Sequence, residues 1–148
     1  ESGRVRAIGV SNFQAEHLRT IIEATGVTPA VNQIELHPYL CQEQLRALHD
    51  SLGIVTESWS PLGRGRLLEE PVVRDVAATL GVTPAQVVIR WHVQHGLVVI
   101  PKTTHCERMR VNADVFSFGL SREQMAAIDA CDRGLRTGSH PDRVQERS

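Results

Sequence analysis

The chain has 148 residues, 41% of them hydrophobic, 22% charged and 4% aromatic. This suits one globular domain or a piece of a larger one, and a formal net charge of −1 leaves no broad positive field for nucleic acid or anionic lipid. Apolar runs such as Leu97-Val98-Val99-Ile100 are far too short to cross a bilayer, so neither a membrane nor a nucleic acid is an expected partner. The opening residues lack a signal-peptide pattern. Cys41, Cys106 and Cys131 are odd in number and contain no CxxC, which supports neither a disulfide framework nor a zinc site. A reducing cytoplasm is the expected compartment. The first residue is Glu1 rather than Met, and Val5 already lies in an apolar segment, so a portion of a longer polypeptide is expected.

Along the chain, Val5 to Val10 reads as a strand ending at Ser11-Asn12. Leu18, Ile21 and Ile22 then recur at helical spacing, with Ser11 and Gln14 spaced as a capping box and Gly26 as the stop. Ala30 to Leu36 is a second strand; Leu45, Leu48 and Leu52 form a helical stripe closed by Gly53. Ile54 to Trp59 is a third strand, and Gly63-Arg64-Gly65 reads as a flexible loop rather than a phosphate-binding motif. Two helices follow, Pro71 to Leu80 and Pro84 to His95, each with proline at its first position. Leu97 to Ile100 is a fourth strand, Thr104 with Glu107 and Ser121 with Gln124 have capping-box spacing, and the tail from Gly134 reads as loop.

Strand–helix alternation repeated four times with short connections predicts parallel strands joined by crossovers. An open sheet would satisfy it, but the usual closed form is the (β/α)8 TIM barrel, which needs about 250 residues. Four βα units supply half of that: residues 1–133 as a half-barrel and 134–148 as a tail. A half alone has two open strand edges, so it requires the missing half or self-association.

Ligands bind such sheets at the carboxyl ends of the strands. These ends carry Ser11-Asn12, Gln33 with Glu35 and His37, Trp59-Ser60, and Lys102-Thr103. Ser11 and Asn12 read either as ordinary helix caps or as ligand contacts, and Gln33 either ties neighbouring strands or meets a ligand, since a buried amide needs partners. Trp59, followed by Ser-Pro-Leu-Gly, is either packing or a platform for a flat ring. Lys102 is the most informative: it is the only lysine in a chain whose other basic residues are all arginine. It precedes a helix expected to start near Thr104, with Arg108 and Arg110 in its first turns. Cations oppose the helix dipole there, whereas a bound phosphate would attract the cations, the dipole and the free N–H groups together. His37 and Cys41 are four apart without further converging ligands, so no metal is expected. Spacing does not assemble Tyr39, His37 and Lys102 into an acid–base triad. The other histidines, His17, His49, His92, His95, His105 and His140, read as helix-surface or loop residues.

Together, Arg6-Ala7-Ile8-Gly9-Val10-Ser11-Asn12-Phe13, Val31-Asn32-Gln33-Ile34-Glu35-Leu36-His37-Pro38-Tyr39, Trp59-Ser60-Pro61-Leu62-Gly63 and Ile100-Pro101-Lys102-Thr103 resemble the aldo-keto reductase family. The resemblance covers about Val5 to Asp132 and is closest to the bacterial branch that includes 2,5-diketo-D-gluconic acid reductases. It implies the second half of a (β/α)8 barrel that reduces an aldehyde or ketone with NADPH. Ser11, Asn12 and Gln33 match the residues holding the nicotinamide carboxamide, and Trp59 the aromatic residue stacked on that ring. Ser60 and Leu62 would lie along the pyrophosphate. Lys102, Thr103 and Arg108 match the grip on the 2′-phosphate of NADP, and Asn112 the adenine contact.

Two departures accompany the resemblance. The family's catalytic tetrad of Asp, Tyr, Lys and His belongs to the first half of the barrel, so this chain is expected to carry no catalytic residue and to be inactive alone. The position beside Asn112 is Val111, where the family often has Gln or Glu on the adenine amine. Alternatives of other classes are a non-catalytic nucleotide-binding half-barrel that dimerises, and a sugar-phosphate enzyme using Lys102 and Arg108.

Overall fold

The computed structural model describes residues 3–143. Four strands, β1 (Gly9–Ser11), β2 (Val31–Glu35), β3 (Val55–Trp59) and β4 (Val98–Val99), form one sheet in sequential order. All three pairings are parallel. The helices α1 (Ala15–Thr25), α2 (Glu43–Leu52), α3 (Pro71–Leu80), α4 (Pro84–Gln94), α5 (Cys106–Ala113) and α6 (Arg122–Asp129) fill the connections and the C-terminal region. Four consecutive βα units with parallel neighbours are the repeat of an α/β barrel.

Each helix owes its ends to local chemistry. α3 and α4 begin on Pro71 and Pro84, whose missing N–H falls where no intrahelical bond is made. The Thr83 hydroxyl accepts the Gln86 N–H at 3.2 Å while the Gln86 side-chain Oε1 accepts the Thr83 N–H at 3.0 Å. Ser121 and Gln124 make the same reciprocal pair at α6, as their spacing predicts. The other two capping-box expectations fail. α1 starts three residues later, where the Gln14 N–H donates to His17 Nδ1 at 3.1 Å, and the Ser11 hydroxyl turns to the sheet instead. α5 is capped at His105 rather than Thr104, and the His105 N–H is taken by Thr103 Oγ1 at 3.2 Å.

The core lies between the sheet and the helices. Leu18, Ile34, Leu36, Val87, Val88, Trp91 and Ile128 are almost fully removed from solvent, each worth on the order of 1.5–3 kcal/mol relative to exposure. Alternation in β2 sends Asn32 and Ile34 into this layer. Asn32 Nδ2 donates to the Phe13 carbonyl at 2.9 Å and lies 3.0 Å from His49 Nε2, and His49 Nδ1 lies 2.8 Å from Thr56 Oγ1. His49 and His92 are therefore wholly buried, not surface residues as the sequence pattern implies. Burial holds both pKa values down, His92 to about 4, despite the carbonyls of Val88 and Leu36 near its ring nitrogens.

Among the described residues, no helix covers the opposite face of the sheet. Register aligns Ser11 with Gln33, Gln33 with Glu57 and Glu57 with Val98, and it sets Glu35 beside Trp59. Val55 and Val98 on this face are 47% and 43% exposed. Strand β1 is shorter than the expected Val5–Val10: Val5 and Ile8 are exposed, and pairing with β2 begins only at Gly9. Gly63-Arg64-Gly65, expected as a flexible loop, opens a short 3₁₀ segment, Gly63–Glu69, which is interrupted at Arg64 and Gly65. The tail is irregular apart from a 3₁₀ turn at Pro141–Arg143, and the last five residues of the expected 134–148 tail lie outside the described residues. No single helix among the described residues is long and apolar enough to cross a membrane.

Candidate functional site

The carboxyl ends of the strands gather two groups of residues. The first is centred on Trp59, the last residue of β3. Its indole N–H donates to Asn12 Oδ1 at 2.8 Å. Asn12 turns off β1 in the left-handed region (φ 60°), a conformation asparagine tolerates better than most residues, and its own N–H donates to the Gln33 carbonyl at 2.8 Å. The Ser11 hydroxyl donates to the same carbonyl at 3.2 Å. The Gln33 side chain crosses to the next strand, where Nε2 donates to Glu57 Oε1 at 2.5 Å.

These partners fix both amide orientations by chemistry, since an indole N–H only donates and a carboxylate only accepts. The amide N–H groups of Asn12 and the carbonyl oxygen of Gln33 are what remain for a ligand. A donor beside an acceptor at the edge of a half-buried indole is the complement of a primary carboxamide on a flat ring. The strand-tying and ligand-binding readings of Gln33 are thus compatible, because its two amide ends do different work.

The second group lines a cleft of about 690 Å³ between the turn after β3, the start of α4 and one side of α5. Leu62, Lys102, Thr103, Arg108, Val111 and Asn112 all face it. Arg108 is the third residue of α5, and Glu107 pairs with Arg110 at 3.9 Å. Neither Lys102 nor Arg108 has an ion-pair partner among the described residues, so two cations face one cleft beside a helix start. Ser60 stands between the groups in a left-handed turn (φ 51°), with its carbonyl accepting the Gly63 N–H at 2.9 Å. Nine of the ten residues singled out from the sequence thus fall into two clusters, and Ser60 lies on the segment joining them.

Residues that could tempt an acid–base assignment are committed elsewhere. The Tyr39 hydroxyl donates to Glu70 at 2.6 Å, and the Arg133 guanidinium sits 3.8 Å from the ring centroid. Burial and the Glu70 carboxylate raise the Tyr39 pKa. His37 Nε2 lies 3.2 Å from Glu35 Oε1, and burial lowers the imidazole pKa. Among the described residues no cluster of His, Cys, Asp and Glu could hold a metal ion, and all three cysteines are free.

The sequence reading placed Glu35 at a strand end without giving it a role, and it missed the link from Glu35 to the tail. Glu35 is the last residue of β2 and is completely buried. Its Oε1 accepts the Thr137 N–H at 2.5 Å and the Thr137 hydroxyl at 2.6 Å; the Gly138 N–H lies 3.2 Å from both carboxylate oxygens. Burial pushes the Glu35 pKa up, but the bonds from Thr137, His37 and Gly138 outweigh it and leave the carboxyl below its ordinary value. A charge in an apolar run at a strand end was the available signal. Its partners lie 102 residues further on, and nothing local announces them.

These features define part of an α/β barrel with polar side chains around Trp59 and two cations lining a separate cleft, and the family follows. Residues 1–133 match the model of the aldo/keto reductase family, and the chain belongs to it. It is 54% identical over 147 residues to 2,5-diketo-D-gluconic acid reductase B of a Corynebacterium species, covering 99% of this chain and 53% of that protein. It is 48% identical over 144 residues to methylglyoxal reductase DkgA of Escherichia coli, covering 96% and 52%. The crystal structure of a Gox0644 mutant in complex with NADPH superposes with a TM-score of 0.94 at 52% identity, over 97% of this chain and 54% of that one. The chain spans about half the length of the curated relatives it matches. Its four βα units are those of a partial (β/α)8 barrel, the fold class expected from the sequence.

Proposed function

We propose that this chain is the cofactor-binding half of an NADPH-dependent carbonyl reductase whose substrate is an aldehyde or ketone. The observation carrying the reading is the pairing, along one rim, of an amide donor and acceptor beside the Trp59 indole with two unpaired cations at the start of α5. Asn12 and Gln33, oriented by Trp59 and Glu57, would hold the nicotinamide carboxamide, with Ser11 keeping the β1–β2 rim in register. Trp59 would stack on the ring. Ser60 and Leu62 would follow the pyrophosphate, Lys102, Thr103 and Arg108 would grip the 2′-phosphate, and Asn112 would meet the adenine.

When bound, the cofactor supplies a hydride. The residues of this chain bind and orient it and shield one face of its ring. The proton for the carbonyl oxygen comes from outside them, because Tyr39 is held by Glu70 and Lys102 lines the anion cleft. The chain by itself should bind the cofactor and not turn over. Binding of NADPH and NADH to Lys102→Met and Arg108→Met tests the reading. Each change should weaken NADPH by about 1–3 kcal/mol, the value of a charge-assisted contact, and leave NADH unmoved. Equal losses for both cofactors would remove the 2′-phosphate assignment.

Exposed Val55 and Val98 on the helix-free face support a second structural reading, in which that face is covered either by the missing half-barrel or by a second copy. Sedimentation of the isolated chain with a carbonyl-reduction assay separates them: a folded, nucleotide-binding, inactive dimer is the module, and restored turnover on adding the N-terminal half is the enzyme.

A further inference from the structure

The Trp59 ring is gripped at both ends. Its indole N–H is held by Asn12 at 2.8 Å. At the far end, Gly138 of the tail lies so close that a Cβ built on it would fall 2.5 Å from Trp59 Cη2 and 3.3 Å from both Trp59 Cζ3 and Glu35 Oε2. Only a residue without a side chain fits between the ring edge and the buried carboxylate. What brings the tail there is Glu35, whose carboxylate collects the main-chain N–H groups of Thr137 and Gly138 and the Thr137 hydroxyl.

The anchor is itself braced. His37 Nε2 reaches Oε1 at 3.2 Å, and the Arg136 guanidinium stands 3.8 Å from Oε2. Arg136 is held in turn by Gln42 Oε1 at 3.2 Å, and Gln42 Nε2 donates back to the Glu35 carbonyl. Upstream, the Leu135 N–H donates to the Tyr39 carbonyl at 2.9 Å. A buried carboxylate accepting this many bonds is a strong, directional anchor, and the segment it holds ends on the indole.

We propose that Glu35 and Gly138 are positioning residues for Trp59: the carboxylate draws the Thr137–Gly138 backbone onto the outer edge of the ring and so fixes its tilt against a stacked nicotinamide. The stacking partner rests on the functional reading above; the clamp on the indole does not. Gly138→Ala forces a methyl group into the ring edge. Glu35→Gln keeps the shape but turns an amide N–H2 toward donors, so the tail loses part of its hold.

The two variants are compared with wild type in protein carrying fluorotryptophan, with the Trp59 signal assigned by its loss in Trp59→Phe. The fluorine resonance of Trp59 should shift or broaden in both variants while that of Trp91, buried with its indole N–H donating to Asp129 at 2.7 Å, stays in place and reports an intact fold. NADPH should bind about three- to tenfold more weakly, the scale of an aromatic stacking contribution, whereas adenosine 2′,5′-bisphosphate, which lacks the nicotinamide, should bind as to wild type. A Trp59 signal that stays put in both variants overturns the clamp. A shifted Trp59 with unchanged NADPH affinity overturns its role toward the cofactor. Equal weakening of both nucleotides also overturns that role. If wild type binds neither nucleotide, the functional reading fails, and the fluorine shifts alone decide the clamp.

Discussion

The two ends of the proposed cofactor site are built on opposite principles. Around Trp59 almost every polar group has a protein partner: the indole on Asn12, Gln33 on Glu57, and Glu35 on the tail. Around Lys102 the cations face an open cleft, and α5 buries no residue. The first end is tied together by its own residues; the second, on the proposed reading, would be completed by a ligand. A flat ring needs its platform and amides fixed in advance, since misplacement costs the contact, while a phosphate group is captured by charge over a wider range of geometries. Substitutions at the Trp59 end should therefore move stability, and those at the Lys102 end should move affinity alone.

The largest expected effect lies beneath the Trp59 end. Asn32 is wholly buried, bonds both the N–H and the carbonyl of Phe13, and touches His49. Asn32→Ala strips three partners at once and should cost about 2–4 kcal/mol in urea unfolding. It should also loosen the Ser11–Phe13 turn that carries Asn12. A loss below about 1 kcal/mol would mean that the rim does not depend on this network.

Acid should act on the same end. His92 is held neutral at a folded pKa of about 4, and His37 and His49 are also lowered by burial. The unfolded chain binds protons near pH 6.5, its ordinary histidine value, and the folded chain does not until lower pH. Stability is therefore full above about pH 6.5 and falls as pH drops toward 4, by on the order of 3 kcal/mol for His92 alone. Urea midpoints at pH 7 and pH 5 measure the slope, and a flat profile would contradict the burial of these rings.

Much of this contrast was legible in the residues, for unequal reasons. Helix starts at Pro71, Pro84 and Ser121 and the end at Gly53 are local signals, and local chemistry decides them. Capping-box spacing at Ser11 and Thr104 misled because the pattern is short, and Gln14 and His105 offered competing starts. His49 follows Leu45 by one helical turn and His92 follows Val88 likewise, so periodicity could have placed both inside; reading histidine as polar hid it. Lys102 stood out by composition alone, as the one lysine among sixteen Lys and Arg residues. The Glu35 anchor could not be seen, because its meaning rests on Thr137 and Gly138 across the whole fold.

At the Lys102 end, Lys102→Met and Arg108→Met should leave the urea midpoint within about 0.5 kcal/mol of wild type, as exposed residues without protein partners do. Their effect on NADPH should be salt-dependent, because the contact is between exposed charges. Loss of stability in either variant would show that these cations already have a structural task and would blur the division between the two ends.

The smallest expected effect is the sharpest control. Arg110 lies two residues beyond Arg108 on α5, pairs with Glu107 at 3.9 Å, and does not line the cleft. Both side chains of that pair are more than 80% exposed, at 83% and 81%, where an ion pair on one helix face contributes at most a few tenths of a kcal/mol. Arg110→Ala should change neither stability nor the preference for NADPH over NADH, although it removes the same charge from the same helix as Arg108→Met. If it weakened NADPH as strongly, the cleft would be acting through net charge rather than through direct contact. The start of α5 would then attract a phosphate through a diffuse field rather than through two particular cations.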